Sequence, residues 1–362
     1  MTSSLSRHST ETLRVNQVDD VLEWQTDTSI GARFLPASNF SETEWIFATV
    51  GSDSLIEKLK RLPQQLKDVT TRIFQGLKTS SDDIYIVRKI AQDENKTLVL
   101  SQATKREHWV ETQLLHPLIK GGNSQAYFLA DATRLILFPY KPGANGKMQL
   151  ITSETLAADF PLAWEYLQQN KETLEKRENG AFKGKHWYAY GRSQALDVIG
   201  LPKIFTPDIA PQSSFSLDEM GTNYFTGGTA GGYGLLPAPG VSDRYLLGVL
   251  NSSLLEWVVQ QTATSMRGGW YSYEARFIRQ LPIRTINFDD PADKARHDRM
   301  VALVEAMLRL KREHAAESQV FSDKRHEIAQ EIERTDAQID ALVYELYGLT
   351  DAEIALVEGR GA

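Results

Sequence analysis

The chain has 362 residues, enough for two or three domains, and 41% of them are apolar, so a substantial core can be buried. It contains no cysteine, which excludes a disulfide framework, a thiolate zinc site and a cysteine nucleophile, and fits a reducing cytoplasm. The net charge of −7 is unevenly placed: residues 1–70 hold 7 Lys+Arg against 10 Asp+Glu, residues 287–362 hold 10 against 17, and residues 71–286 hold 23 against 20. The total therefore does not exclude a polyanion partner for the mildly basic middle.

The N-terminus, "MTSSLSRHSTETLRVNQ", has no apolar run after its basic residues and does not read as a signal peptide. No run of eighteen apolar residues occurs, so no membrane span is expected. The first forty residues read as polar and irregular, with "LEWQTDTSIGARFLP" compatible with a short strand and turn. From Leu55 the spacing of Leu55, Ile56, Leu59 and Leu62 predicts a helix, interrupted at Pro63.

Residues 72–140 read as mostly β. "DIYIVRKI" and "TLVLSQ" flank the turn signal "DENK", and "YFLADATRLILFPY" supplies further extended runs. "DFPLAWEYLQQNKETLEKREN" predicts one central helix, with Asp159 as N-cap, Pro161 in the first turn and Gly180 at its end. The glycines of "TGGTAGGYGLLPAPG" predict a flexible or tightly turned surface loop. "DRYLLGVLNSSLLEWVVQQTA" predicts a further helix. After Pro282, "HDRMVALVEAMLRLKREHAAE" and "DKRHEIAQEIERTDAQIDALVYELYG" predict two long amphipathic helices forming an antiparallel hairpin, with Gly348 as C-cap.

Most enzymatic signatures are missing. "PGANGKMQ" has the wrong spacing and no hydroxyl residue for a P-loop, and "HEIAQ" has Gln330 where a zinc helix needs its second histidine. One pattern fits a magnesium-dependent nuclease: Asp83, then Glu94 and Lys96 in "QDENKT". Its triplet reads as an exposed hairpin tip, where a metal site is poorly placed. Arg, Lys and aromatic residues do gather in "GKHWYAYGRSQ", "IFQGLKTSSDD" and "PLIKGGNSQ", and these are side chains able to bond phosphates and base edges.

Taken in order, these segments resemble a known family, the TaqI-like C-terminal specificity domain. That domain is the target-recognition region of N6-adenine DNA methyltransferases and type IIG restriction-modification enzymes. The resemblance is carried by "IFQGLKTSSDDIYIV", "LLHPLIKGGNSQAY", "RLILFPY", "FPLAWEYLQQNKETLEKR", "WYAYGRSQAL", "LPKIFTPDIA", "YLLGVLNSSLLEW" and "FIRQLPI", with "IDALVYELYGLTDAEIALVE" similar to the tail of the fused enzymes. It covers residues 73–358. Family enzymes carry an Asn/Asp-Pro-Pro-Tyr/Phe motif in a separate methyltransferase domain, and this chain has no Pro-Pro pair and no glycine-rich strand for S-adenosylmethionine.

The resemblance implies an α+β fold: a mixed, β-rich recognition domain over 71–285 with packed helices, preceded by a linking or docking segment over 1–70 and followed by an antiparallel helical hairpin over 286–362. It implies sequence-specific binding of double-stranded DNA, with no catalytic residue and no metal or cofactor held by this chain. S-adenosylmethionine would belong to an associated methyltransferase domain or subunit that methylates adenine N6. By residue type and family element, the candidate DNA contacts are Lys78, Thr79, Lys120, Asn123, Lys185, Arg192, Lys203, Arg267, Trp270 and Tyr271. Arg276 and Arg279 are left as flanking charges. The rival expectations are the metal-dependent nuclease of Asp83, Glu94 and Lys96, and a helical interaction scaffold that never touches DNA.

Overall fold

The computed structural model describes residues 5–7, 12–16, 32–36, 52–144, 146–228, 230–266, 268–317 and 323–359. Met1–Asp53 and Ser54–Ala362 are separate compact units. In the first, Leu5–Arg7, Thr12–Asn16 and Ala32–Pro36 form an antiparallel sheet in that order, where the sequence predicted only one short strand.

The second unit is α+β. Helix Ser52–Lys60 ends before Pro63, as expected. Ile86–Gln92 and Lys96–Ser101 form the predicted hairpin across Asp93–Asn95, within a six-stranded sheet. Its order is Tyr224–Phe225, Leu115–Ile119, Arg134–Leu137, Ile86–Gln92, Lys96–Ser101, Glu107–Glu111, and only the first pair is parallel. A four-stranded antiparallel sheet runs Ser216–Asp218, Lys203–Pro207, Gly232–Pro237, Thr70–Gln75.

The four-stranded sheet has a core on each face. Ile73, Ile204 and Leu235 join a core completed by the helices, while Phe74 and Phe205 join one shared with the six-stranded sheet. This is period-two alternation with both faces buried. Gly232 and Gly234 lie inside it and not in a surface loop. A Cβ at Gly232 would sit 2.1 Å from the Thr206 carbonyl oxygen, and one at Gly234 2.5 Å from the Phe74 ring.

The predicted central helix is a chain of short ones: Ser153–Asp159, Pro161–Gln169, Lys171–Glu175 and Arg177–Gly180. Asp159 ends the first of these instead of capping the second; Phe160 is the joint, and Pro161 does occupy the first position after it. Asn170 breaks the run by donating its amide to the Tyr166 carbonyl, and Glu178 and Asn179 are left-handed (φ 47° and 60°). The next predicted helix is likewise two, Asp243–Asn251 and Ser253–Thr262, with the Ser252 hydroxyl capping the second.

Pro291–Ala316 and Asp323–Tyr347 form the antiparallel hairpin, held by Arg296–Glu345 at 2.7 Å and by a Lys324–Glu317 pair at the opposite end. Met300, Val304, Ile339, Leu342 and Val343 pack into the core with Leu246, Leu250 and Leu255 of the preceding helices. Gly248 permits that approach, because a Cβ there would meet Met300 Sδ at 2.6 Å. Gly348 takes φ +60° after the second helix, the expected C-cap conformation. Among the described residues no helix is long and apolar enough to cross a membrane.

Candidate nucleic-acid interface

Two of the cation-bearing segments meet just beyond strand Thr70–Gln75. Gly76 passes so close to the neighbouring chain that a Cβ would lie 2.4 Å from the Phe225 carbonyl oxygen. Leu77 then donates its N–H to that oxygen at 2.9 Å, and Lys78 pairs with Arg192 in an isolated antiparallel bridge. "IFQGLKTSS" and "WYAYGRSQ" are thus brought side by side.

Within this junction the candidates face different ways. Lys78 is half-buried, whereas Lys185 and Arg192 are exposed, with Arg192 Nη1 2.7 Å from Glu178 Oε1. Thr79 is buried; its hydroxyl donates to the Asp82 carboxylate and accepts from the Ser81 N–H at 3.0 Å, which shapes the turn into helix Asp82–Tyr85. Trp187, Tyr188 and Tyr190, which the sequence grouped with these cations, belong to the core. Arg177 lies beneath and explains why the two segments meet. Its buried guanidinium donates to the carbonyls of Leu174, Thr79, Trp187 and Ala189 at 2.7–2.9 Å.

Lys120 and Asn123 bound the short turn Gly121–Asn123. The Asn123 side chain accepts the Lys120 N–H at 2.9 Å and so holds the turn. Lys120 lines a groove of about 390 Å³ with Arg88, Arg134, Gln102, Asp82 and Asp83. Arg88 and Arg134 sit directly opposite each other on adjacent strands, an arrangement that destabilises a sheet unless an anion is near. Neither was found by sequence reasoning, because their opposition arises only from strand register.

Lys203 is 1% exposed. Its ammonium lies 2.6 Å from Asp218 and also donates to the carbonyls of Ile199 and Leu201. Trp270 and Tyr271 lie on a hairpin of Ser265–Met266 and Trp270–Ser272 that extends to Ile209–Ala210. Gly268 and Gly269 (φ +87° and +76°) form its turn, Trp270 is 41% exposed, and Arg267 falls outside the described residues. Beyond the hairpin Phe277, Ile278, Leu281 and Ile283 are buried, the first two on helix Ala275–Ile278.

Asp208, between strand Lys203–Pro207 and this hairpin, was also missed. It is 6% exposed with Oδ1 unpartnered. Burial and then Glu274 push its carboxyl upward, against the pull of Lys78. No spacing in "TPDIA" marks it.

The nuclease constellation is not assembled. Asp83 precedes strand Ile86–Gln92, and Glu94 and Lys96 follow it; seven residues of strand separate them by roughly 20 Å. Lys96 pairs with Asp93 at 3.8 Å. Among the described residues no group of three His, Cys, Asp or Glu side chains could hold a metal.

Residues 156–283 match the model of the TaqI-like C-terminal specificity domain. The chain is 24% identical over 374 residues to the type II restriction enzyme and methyltransferase RM.Eco57I of Escherichia coli, covering 98% of this chain and 37% of that protein. It is 21% identical over 360 residues to the type II methyltransferase M.BstVI of Geobacillus stearothermophilus, covering 99% of this chain and 53% of that protein. Among solved structures, the type IIL restriction-modification enzyme MmeI in complex with DNA matches with a TM-score of 0.48 and 14% identity, over 81% of this chain and 35% of that one. The chain therefore spans between about a third and a half of the curated relatives it matches.

Proposed function

We propose that this chain is the DNA-recognition part of a restriction-modification system. It binds duplex DNA and selects a short target, while a methyltransferase domain or subunit using S-adenosylmethionine modifies adenine N6. The observation that carries the reading is where the family match falls: residues 156–283 include the segments that expose Lys185, Arg192 and Trp270 and that carry the half-buried Tyr271. The relatives' names supply the restriction-modification setting.

In this reading 71–285 is the recognition domain, flanked by a docking segment over 1–70 and by the helical hairpin over 286–362. Lys78, Lys120, Lys185, Arg192 and Arg267 contact the duplex, and Trp270 and Tyr271 stack or pack against it. Thr79, Asn123 and Lys203 act from beneath, by holding the turns and strand that carry the others. The scaffold alternative is less well supported, since the apolar faces of both long helices are already spent on the core of this chain.

The test is selection of binders from randomised duplexes by the chain, with and without candidate methyltransferase partners. A recovered consensus is expected, and Lys185→Gln and Arg192→Gln are each expected to lower the salt slope of binding by about 1. A folded sample that retains no duplex even at low salt would sink the reading in favour of the scaffold.

A further inference from the structure

Strand Thr70–Gln75 is the outermost strand of its sheet. Gly232–Pro237 pairs with one of its edges, and no described strand pairs with the other. Such an edge is a liability unless something covers it. Here it opens onto a groove of about 560 Å³ whose polar lining includes Lys67, Thr71, Arg72, Gln75, Gln194 and Arg279.

No acidic residue lines this groove. Lys67, Arg72 and Arg279 are all exposed, and none forms an ion pair with a described residue. Asp68, next to Lys67 in sequence, turns its carboxylate back onto the Gln65 N–H at 2.9 Å. The placement of the cations is built into the fold. Lys67 donates its backbone N–H to the Arg279 carbonyl at 3.2 Å, and Leu66 donates to Leu281 at 2.8 Å, so two cation-bearing segments are tied together. Gln194 is pinned beside Gln75 by donating its amide to the Gly76 carbonyl at 2.9 Å.

We propose that this groove binds the phosphodiester backbone of duplex DNA, as a contact site additional to the loops described above; it rests on the DNA-recognition reading. Three unpaired cations lining one groove are complementary to a polyanion. The Thr71 hydroxyl and the two glutamine amides are of the kinds that bond phosphate and sugar oxygens. Arg279, a charge without a role in the sequence, thereby acquires one.

The test uses the full chain and measures duplex binding from about 50 to about 200 mM salt. The triple variant Lys67→Gln, Arg72→Gln, Arg279→Gln is expected to lower the slope of log K against log salt by about 3 and to weaken binding alike for all sequences. Its melting temperature should stay within about 2 °C of wild type, since all three side chains are exposed and unpaired. A control triple, Lys294→Gln, Arg309→Gln, Lys324→Gln, removes the same charge from the helical hairpin and should leave the slope unchanged. A groove variant with the wild-type slope, or equal losses in both triples, overturns the assignment. Wild-type protein that binds no duplex at the lowest salt overturns the DNA reading itself, and the groove assignment falls with it.

Discussion

Lys203 offers a direct test of whether a cation in a recognition segment serves DNA or the fold. All three hydrogens of its ammonium are used, on Asp218 Oδ2 at 2.6 Å, the Ile199 carbonyl at 2.8 Å and the Leu201 carbonyl at 3.2 Å. The side chains of Lys203 and Asp218 are 0% and 2% exposed. Burial lowers the proton affinity of Lys203, and Asp218 opposes that shift. Lys203→Met keeps the apolar stem but leaves the Asp218 carboxylate buried without its counter-charge, which costs about 3–5 kcal/mol. At roughly 2–4 °C per kcal/mol, melting should fall by about 6 °C or more, read by circular dichroism. Asp218→Asn in the same chain removes the stranded charge, while its amide oxygen can still accept from the Asn223 N–H that now bonds the carboxylate at 3.0 Å. The double variant should therefore recover a large part of the loss. Lys203→Met protein that melts within about 2 °C of wild type but loses DNA affinity would refute the structural role.

Three further outcomes follow from buried polar geometry. Arg177→Lys replaces a planar fork that serves four carbonyls with a single ammonium, and should destabilise by about 2–4 kcal/mol in thermal melts. Gly76→Ala drives a Cβ to 2.4 Å from the Phe225 carbonyl oxygen and should cost about 1–3 kcal/mol, whereas Gly122→Ala, with nothing within 4 Å, should be nearly neutral. The Asp336 carboxyl is pushed up to about 6, by loss of solvation and then by Asp340. A raised carboxyl contributes stability that is complete below its unfolded value near 4 and is lost as pH rises through about 6. Asp336 keeps contact with solvent, so screening holds this to about 1 kcal/mol or less. Wild type should accordingly gain more melting temperature than Asp336→Asn between pH 7.5 and pH 5, and equal gains would exclude Asp336 as the source.

Local patterns in the sequence marked the elements whose stability is local. The Asp93–Asn95 turn flanked by extended runs, the helix stopped before Pro63 and the apolar stripes of the two long helices each depend on neighbours a few residues away, and each is present. The expected single helix from Asp159 to Gly180 failed where side chains compete with the backbone. Asn170 takes the Tyr166 carbonyl, and the left-handed turn at Glu178 and Asn179 leaves Arg177 free to bind four carbonyls from three segments. That bond set lies far apart in sequence and carries no periodic signal. The glycines at 232 and 234 misled for a related reason: a buried strand that must admit Phe74, Phe205 and Phe225 at close range can need glycine as much as any turn.

The candidate site was less legible than the fold because residue type does not give direction. Lys203 and Arg192 are both cations in segments of the same resemblance, yet one faces Asp218 inside the protein and the other reaches solvent beside Glu178. What separates them is strand register, which sets Lys203 opposite Asp218. Register likewise sets Arg88 opposite Arg134, and the backbone tie between Lys67 and Arg279 gathers cations from segments more than two hundred residues apart. Tertiary pairing turns like charges into neighbours in both places, but only the groove of Lys67, Arg72 and Arg279 has no acid in its lining, whereas Asp82 and Asp83 share the groove of Arg88 and Arg134. A surface that keeps such neighbours forgoes the easy gain of placing an acid beside them. For a chain whose net charge is −7, the places where acid is withheld are more informative about a polyanion partner than the places where base is abundant.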